Sequence, residues 1–305
     1  MISLAAMATV FRKLLGALPR MGVQVVDLGP GAAVIARRGG LSARKVGADA
    51  WMVGGRRATA APVVGRQGPW GLDKATASRL CARHVAGLLA RYEVNCVFDV
   101  GANKGQYGKQ LRKQGYRGRI VSFEPVPDSC ERLRAAAEQD PDWRVYACGL
   151  GRKASTEQMH LGWKTMNSLL KPSDYGQRRY RRFADTSTAE VRIRRLDEVM
   201  DEAMAGLADP RPYLKMDTQG FDLEVFAGGG ERLGEFVGMQ SEVAALRLYE
   251  GSPRMTDAIA AYEQEGFEVT GMYPVTREDT TGRVVEFDCV MARAYAVPGE
   301  DGPAA

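Results

Sequence analysis

From residue 94 onward the chain switches repeatedly between two periodicities. Short apolar runs at 94–100, 119–124, 143–148, 212–217, 236–242, 266–272 and 285–292 predict strands. Between them, apolar positions three and four apart predict helices over 104–114, 127–139, 196–204, 221–233 and 253–265. Strands that are apolar throughout, alternating with helices, predict an α/β fold whose mostly parallel sheet is covered on both faces. The last two strands are joined only by a turn around Thr280-Thr281-Gly282, which predicts a terminal hairpin with one strand running against the rest. Upstream, Leu80, His84, Val85, Leu88 and Leu89 share one face of a helix over 73–91, with Asp73 placed to cap its start. His84 on that face reads as a partly buried helix residue, not a catalyst.

The first 72 residues form an N-terminal extension with a weaker pattern. Met7, Val10, Phe11, Leu14, Leu15 and Leu18 fall at helical spacing within residues 2–18. That run is too short to span a bilayer, which needs ~20 apolar residues. It reads as a helix packed on the domain, with a peripheral membrane contact as the alternative. Val25-Val26-Asp27-Leu28-Gly29-Pro30-Gly31 imitates a nucleotide-binding strand and turn, but Pro30 sits in the turn and no clear helix follows. Gly, Ala, Arg and Pro dominate 54–69 and predict a loop or linker. Residues 73–296 are expected to form the main domain, and 297–305 a disordered tail.

Composition narrows the classes. Hydrophobic residues at 45% and charged residues at 26% are ordinary for a soluble globular protein. The net charge of +5 is spread along the chain, so nucleic acid is not an expected partner. Cys81, Cys96, Cys130, Cys148 and Cys289 show no C-x-x-C spacing and are odd in number, which points to buried, reduced thiols and a cytoplasmic protein. His84 and His160 are the only histidines, which excludes a His-rich metal site. An insert over 152–190 carries Trp163, Thr165, Met166, Asn167 and Ser168, then interleaves basic and aromatic residues: Tyr175, Arg178, Arg179, Tyr180, Arg181, Arg182 and Phe183. It reads as a solvated loop or as a lid over a substrate, with nucleic-acid contact the least favoured reading.

The candidate chemistry lies at the strand ends, where open α/β sheets bind ligands. Val97-Phe98-Asp99-Val100-Gly101-Ala102-Asn103-Lys104-Gly105 is a strand that ends in an acid, turns on glycine and enters a helix. Glu124 ends the next strand, where a carboxylate can accept both hydroxyls of a ribose. The glycine pattern is G-x-x-x-G with Asn103 inside it, not the G-x-G-x-x-G that a pyrophosphate needs, which disfavours a nicotinamide dinucleotide. Lys215 and Asp217 lie two apart on an apolar strand and so point to the same side. Glu242 ends the fifth strand. Asp217, Glu242 and His160 are the candidates for a general base.

The ordered set D-V-G-A-N-K-G (99–105), S-F-E-P-V-P (122–127), L-D-E (196–198), L-K-M-D-T-Q-G-F-D-L-E-V-F-A-G-G (214–229) and Ser241-Glu242 resembles the S-adenosylmethionine-dependent methyltransferases of the FkbM family. The resemblance covers about residues 94–292. It implies the Rossmann-like class I methyltransferase fold, a seven-stranded sheet closed by one antiparallel strand. It implies S-adenosylmethionine as cofactor, its methionine end beside Asp99, Gly101, Asn103 and Gly105 and its adenine near Cys148 and Gly149. It also implies O-methylation of a hydroxyl on a sugar, glycolipid or secondary metabolite. Gln219 stands where many relatives carry glutamate, which puts a carboxylate metal site in doubt. A cofactor-binding regulatory protein without turnover is the alternative. A nucleic-acid methyltransferase ranks lower, because Asp217-Thr218-Gln219-Gly220 is not the N/D-P-P-Y/F turn of that class.

Overall fold

The computed structural model describes residues 71–162, 166–180, 183 and 187–298, together with the backbone of five strands between 23 and 64. The expected helix over 2–18, together with Trp163, Thr165, Arg181, Arg182 and residues 299–305, lies outside the described residues. The chain divides into two compact units: Met1–Arg79 with Glu278–Gly282, and Leu80–Arg277 with Arg283–Ala305.

The first unit is β-rich where a loop was expected. Strands β1 (Val23–Gly29) and β2 (Ala32–Arg37) form an antiparallel hairpin. Strands β3 (Leu41–Lys45), β4 (Ala50–Gly55) and β5 (Ala61–Val64) form a second antiparallel sheet. The V-V-D-L-G-P-G segment therefore folds back on itself, Val26 opposite Val34, and enters no helix. The expected linker over 54–69 contains the end of β4 and all of β5. Such strands escape a composition reading because glycine and alanine dilute the branched and aromatic residues that mark strands.

Helix α1 (Gly71–Arg91) leads into the second unit. There Cys81, Val85 and Leu89 are buried at four-residue spacing, whereas Leu80, expected on that face, is 50% exposed. His84 bonds the Tyr273 hydroxyl through Nδ1 at 2.9 Å, a structural contact. The unit continues as β6 (Cys96–Val100), α2 (Gln106–Gln114), β7 (Arg119–Phe123), α3 (Pro127–Ala137) and β8 (Trp143–Tyr146). Next come β9 (Gly149–Leu150) and, from the insert onward, β10 (Ser155–Leu161), α4 (Asp174–Arg179) and β11 (Ser187–Arg194). Then follow α5 (Leu196–Met204), β12 (Pro212–Met216), α6 (Asp222–Ala227), β13 (Gly238–Ala244), α7 (Met255–Gln264), β14 (Glu268–Arg277) and β15 (Val284–Ala292).

Seven of these strands form one sheet in the order β14-β15-β13-β12-β6-β7-β8. All run parallel except β15, which is antiparallel to both β13 and β14. This is the class I methyltransferase arrangement. On β6, Cys96, Phe98 and Val100 face a core shared with α5, α6 and α7. Val97 faces the opposite layer, with Cys81 and Leu89 of α1, Leu111 of α2 and Leu133 of α3. Asp99 points to that second side, and so do Lys215 and Gln240, by the two-residue alternation of strands. One expected helix is broken: after α6, Gly228, Gly229 and Gly230 interrupt it, and a 3-10 turn follows at Gly230–Glu235. All five cysteines are free and buried.

The insert is folded in its described parts. β10 pairs antiparallel with β11, and β11 pairs with β9. Its aromatic residues pack: Phe183 is buried with Leu248, Tyr249 and Val285, and Tyr175 and Tyr180 lie partly buried beside them. Among the described residues no helix is long and apolar enough to cross a membrane.

Candidate active site

The loop after β6 is shaped by close approach. Gly101 has φ +78°, and a Cβ there would lie 2.1 Å from the carbonyl oxygen of Asp217. Only glycine satisfies both conditions. Gly105, at φ +77°, precedes α2, and its Cβ would press on Leu133 and Trp143 at 3.0–3.1 Å. Between them Asn103 is also left-handed, φ 50°. Glu124, 5% exposed at the end of β7, braces this loop. Its Oε2 accepts the Asn103 N–H at 2.8 Å and its Oε1 the Val126 N–H at 2.9 Å. Burial raises the carboxyl pKa, while those two N–H groups pull it back.

These features fit S-adenosylmethionine. Each Glu124 oxygen spends one lone pair on the backbone and keeps another, so two adjacent hydroxyls of a ribose could be held. Asn103 Oδ1 is buried without a hydrogen-bond partner among the described residues, an acceptor left for a ligand donor. The glycine-bent segment from Gly101 to Gly105 could take the amino-acid end.

Beside the loop, Lys215 of β12 stands opposite Asp99 in the strand register. Its ammonium is 3.0 Å from Asp99 Oδ1 and 3.6 Å from Asp217 Oδ2. The Tyr107 ring lies 5.2 Å from it, within cation–π range. Ser122 donates to Asp99 at 3.4 Å and accepts the Trp143 indole N–H at 2.9 Å. Burial works against the charge on Lys215, but Asp99 and then Asp217 outweigh it, and its pKa rises. The side chain of Asp99 is 0% exposed and that of Asp217 is 45% exposed.

At the tip of β12 the chain turns through Gln219, φ 55°, and Gly220, φ 91°, into α6. Asp222 ties this turn to β13. Its Oδ1 accepts from the Thr218 N–H at 2.7 Å and hydroxyl at 2.5 Å. Its Oδ2 accepts from the Ser241 hydroxyl at 2.8 Å and the Glu242 N–H at 3.1 Å. Gln219 Nε2 donates to Asp217 Oδ1 at 3.1 Å and to Glu242 Oε2 at 3.0 Å, and its Oε1 accepts the Tyr249 hydroxyl at 2.8 Å. Burial, then Glu286, Asp217, Asp288 and Asp222, raise the pKa of Glu242 well above the carboxylate range. Asp288 is in register with Glu242 and accepts from Gln240 Nε2 at 3.0 Å. Burial pushes its pKa up to about 6 against that hydrogen bond.

The structure thus gathers Asp99, Gly101, Asn103, Gly105 and Glu124 with Lys215, Asp217 and Glu242 at the carboxyl ends of β6, β7, β12 and β13. His160 reaches this group through its backbone, which pairs with Ser168, whose hydroxyl donates to the Gln219 carbonyl. It lies on β10 opposite Thr188, and its ring has no hydrogen-bond partner among the described residues. Cys148 has its side chain in the core with Phe123, Leu150 and Leu196, and burial pushes its thiol pKa up to about 11. A Cβ at Gly149 would lie 2.8 Å from Ile193. A base at this turn would therefore meet backbone, not the thiol. Sequence reasoning missed the bridging role of Gln219, the tie made by Asp222, and Asp288. The last carries the signal that singled out Lys215, a charge inside an apolar strand.

The FkbM methyltransferase domain model matches residues 99–269. The chain is similar to the 2-O-methyltransferase NoeI of Sinorhizobium fredii, at 25% identity over 190 residues, covering 59% of this chain and 76% of that protein. It is likewise similar to the methyltransferase sdnD of Sordaria araneosa, at 25% identity over 198 residues, covering 57% and 74%. Among solved structures, Aeropyrum pernix fibrillarin with natively bound S-adenosyl-L-methionine superposes with a TM-score of 0.42 at 12% identity, covering 88% of this chain and 100% of that one. Magnesium protoporphyrin IX methyltransferase from Synechocystis gives a TM-score of 0.39 at 10% identity, covering 76% and 86%. The chain belongs to the FkbM family of methyltransferases, and S-adenosylmethionine is its cofactor.

Proposed function

We propose that this methyltransferase acts on a hydroxyl of a sugar, glycolipid or other small metabolite. The observation that carries the reading is Asp217, a carboxylate 45% exposed at the tip of β12 and held on two sides by the protein. S-adenosylmethionine supplies, when bound, an electrophilic methyl group on a sulfonium. An alcohol must lose its proton as it is methylated, and Asp217 has an open face on which to receive it. Lys215 at 3.6 Å and Gln219 at 3.1 Å fix the direction of that carboxylate. Glu242 is held toward its protonated form by burial and the surrounding acids, so Asp217 is the base. Lys215, charged and enclosed, orients Asp217 and does not reach for the acceptor. The name of NoeI, a 2-O-methyltransferase, supports a hydroxyl acceptor.

The test is to incubate the purified chain with methyl-labelled S-adenosylmethionine and an extract of cells lacking its gene. Label in an ether of a hydroxyl-bearing small molecule or glycolipid is expected. Label recovered only in amines or in nucleic acid overturns the reading.

A further inference from the structure

We propose that Gln219 is a positioning residue of the acceptor site, its side-chain amide clamping Asp217 and Glu242 together while its backbone carbonyl is held by Ser168 of the insert. The inference rests on the reading of Asp217 as base and adds the residue that holds it there. Gln219 is left-handed, φ 55°, a backbone state uncommon for a residue with a Cβ. Two further contacts hold it. The Ser168 hydroxyl of the insert donates to the Gln219 carbonyl at 2.7 Å and accepts the Leu170 N–H at 3.0 Å. Ser168 is fixed in turn by paired backbone bonds with His160 at 2.8 and 3.1 Å. Tyr249, in the segment after β13, donates to Gln219 Oε1 at 2.8 Å.

The amide has one orientation that satisfies all its partners. Its nitrogen must face the Asp217 carboxylate, because a carbonyl oxygen there would oppose a negative charge with a lone pair. Its oxygen then faces Tyr249. The amide nitrogen thus serves both carboxyl groups at once. The charged and titratable groups around the pair are Lys215 and Asp99 on the central strands, Asp222 on α6, Glu286 and Asp288 on β15, and Tyr249. Lys215 is the single cation among these, and its ion pairs go to Asp99 and Asp217. Among the described residues Gln219 is the hydrogen-bond donor to the Glu242 carboxyl. A substrate that displaced Tyr249 or Ser168 would therefore loosen the base, and one that left them seated would find it aligned.

The test is a titration of isotope-labelled Asp and Glu carboxyl carbons by NMR, on the full chain without cofactor or acceptor. It compares the parent with Gln219→Met, which keeps the length and removes the donors, and Tyr249→Phe, which frees the amide oxygen and keeps the ring. In Gln219→Met the midpoint of Glu242 is expected to rise by about one unit, a tenfold gain in proton affinity. In Tyr249→Phe it is expected to rise by less. If Gln219→Met fails to fold, Tyr249→Phe carries the test, and its midpoint must still rise. Unmoved midpoints in folded variants, with or without a lower melting temperature, overturn the proposal. Because no methyl transfer is measured, that result would remove the role of Gln219 and leave the hydroxyl-acceptor reading standing.

Discussion

Two aspartates share Lys215. Asp99 lies 3.0 Å from the ammonium with no exposed surface, while Asp217 lies 3.6 Å away with 45% of its side chain open. Asp99 is further enclosed by Ser122 and, through it, Trp143, while Asp217 is met from the side by Gln219. Both end apolar strands and both looked alike as strand-end acids. The difference lies in what covers them. Helix α2 brings Tyr107 over the lysine and closes the inner acid, whereas the turn after β12 leaves the outer one accessible. The inner pair is enclosed, and the outer acid is open to a ligand.

That contrast can be broken from the inner side first. Lys215→Met leaves Asp99 buried without its counter-charge and is expected to cost about 3–5 kcal/mol in urea unfolding. The double variant Asp99→Asn/Lys215→Met is expected to recover much of that loss, because no unpaired charge remains. On the outer side, Asp217→Asn is expected to change stability by less than about 0.5 kcal/mol. It should slow methyl transfer ~100–10,000-fold, the usual contribution of a positioned base. Equal losses of stability in Lys215→Met and Asp217→Asn would erase the distinction.

A smaller effect tests the acids farther along the same face. Asp288 has a folded pKa pushed up to about 6 by burial, against about 3.9 for an unfolded aspartate. The folded chain therefore holds the extra proton between those values. The associated stability is complete below about pH 4 and is lost as pH rises through about 6. Asp288→Asn should match the parent near pH 4 and exceed it by ~1–3 kcal/mol near pH 8, with Gln240 still able to donate to the new amide oxygen. A pH dependence of unfolding unchanged by this substitution would show that Asp288 is not buried as a proton-binding group.

The central sheet was legible because buried parallel strands are apolar on both faces and leave no doubt about their period. β6, β7, β12 and β15 fall within a residue or two of the apolar runs at 94–100, 119–124, 212–217 and 285–292. The five strands between 23 and 64 were not legible, since short antiparallel strands rich in glycine and alanine carry little periodic signal. In the site, the strand-end acids announced themselves by charge. What could not be read was their degree of enclosure, which is set by Tyr107 and Trp143 from other elements. Nor could Gln219 be read as a bridge, because a neutral amide gives no charge signal and its partners Ser168, Glu242 and Tyr249 are distant in sequence.

Calorimetric titration of S-adenosylmethionine into the parent, Glu124→Ala and Asp217→Asn tests the division of labour most directly. The account predicts a single site in the parent, an affinity at least about tenfold weaker in Glu124→Ala, and an affinity in Asp217→Asn close to that of the parent. Undiminished binding in Glu124→Ala, or a loss in Asp217→Asn as large as the one expected there, would contradict it.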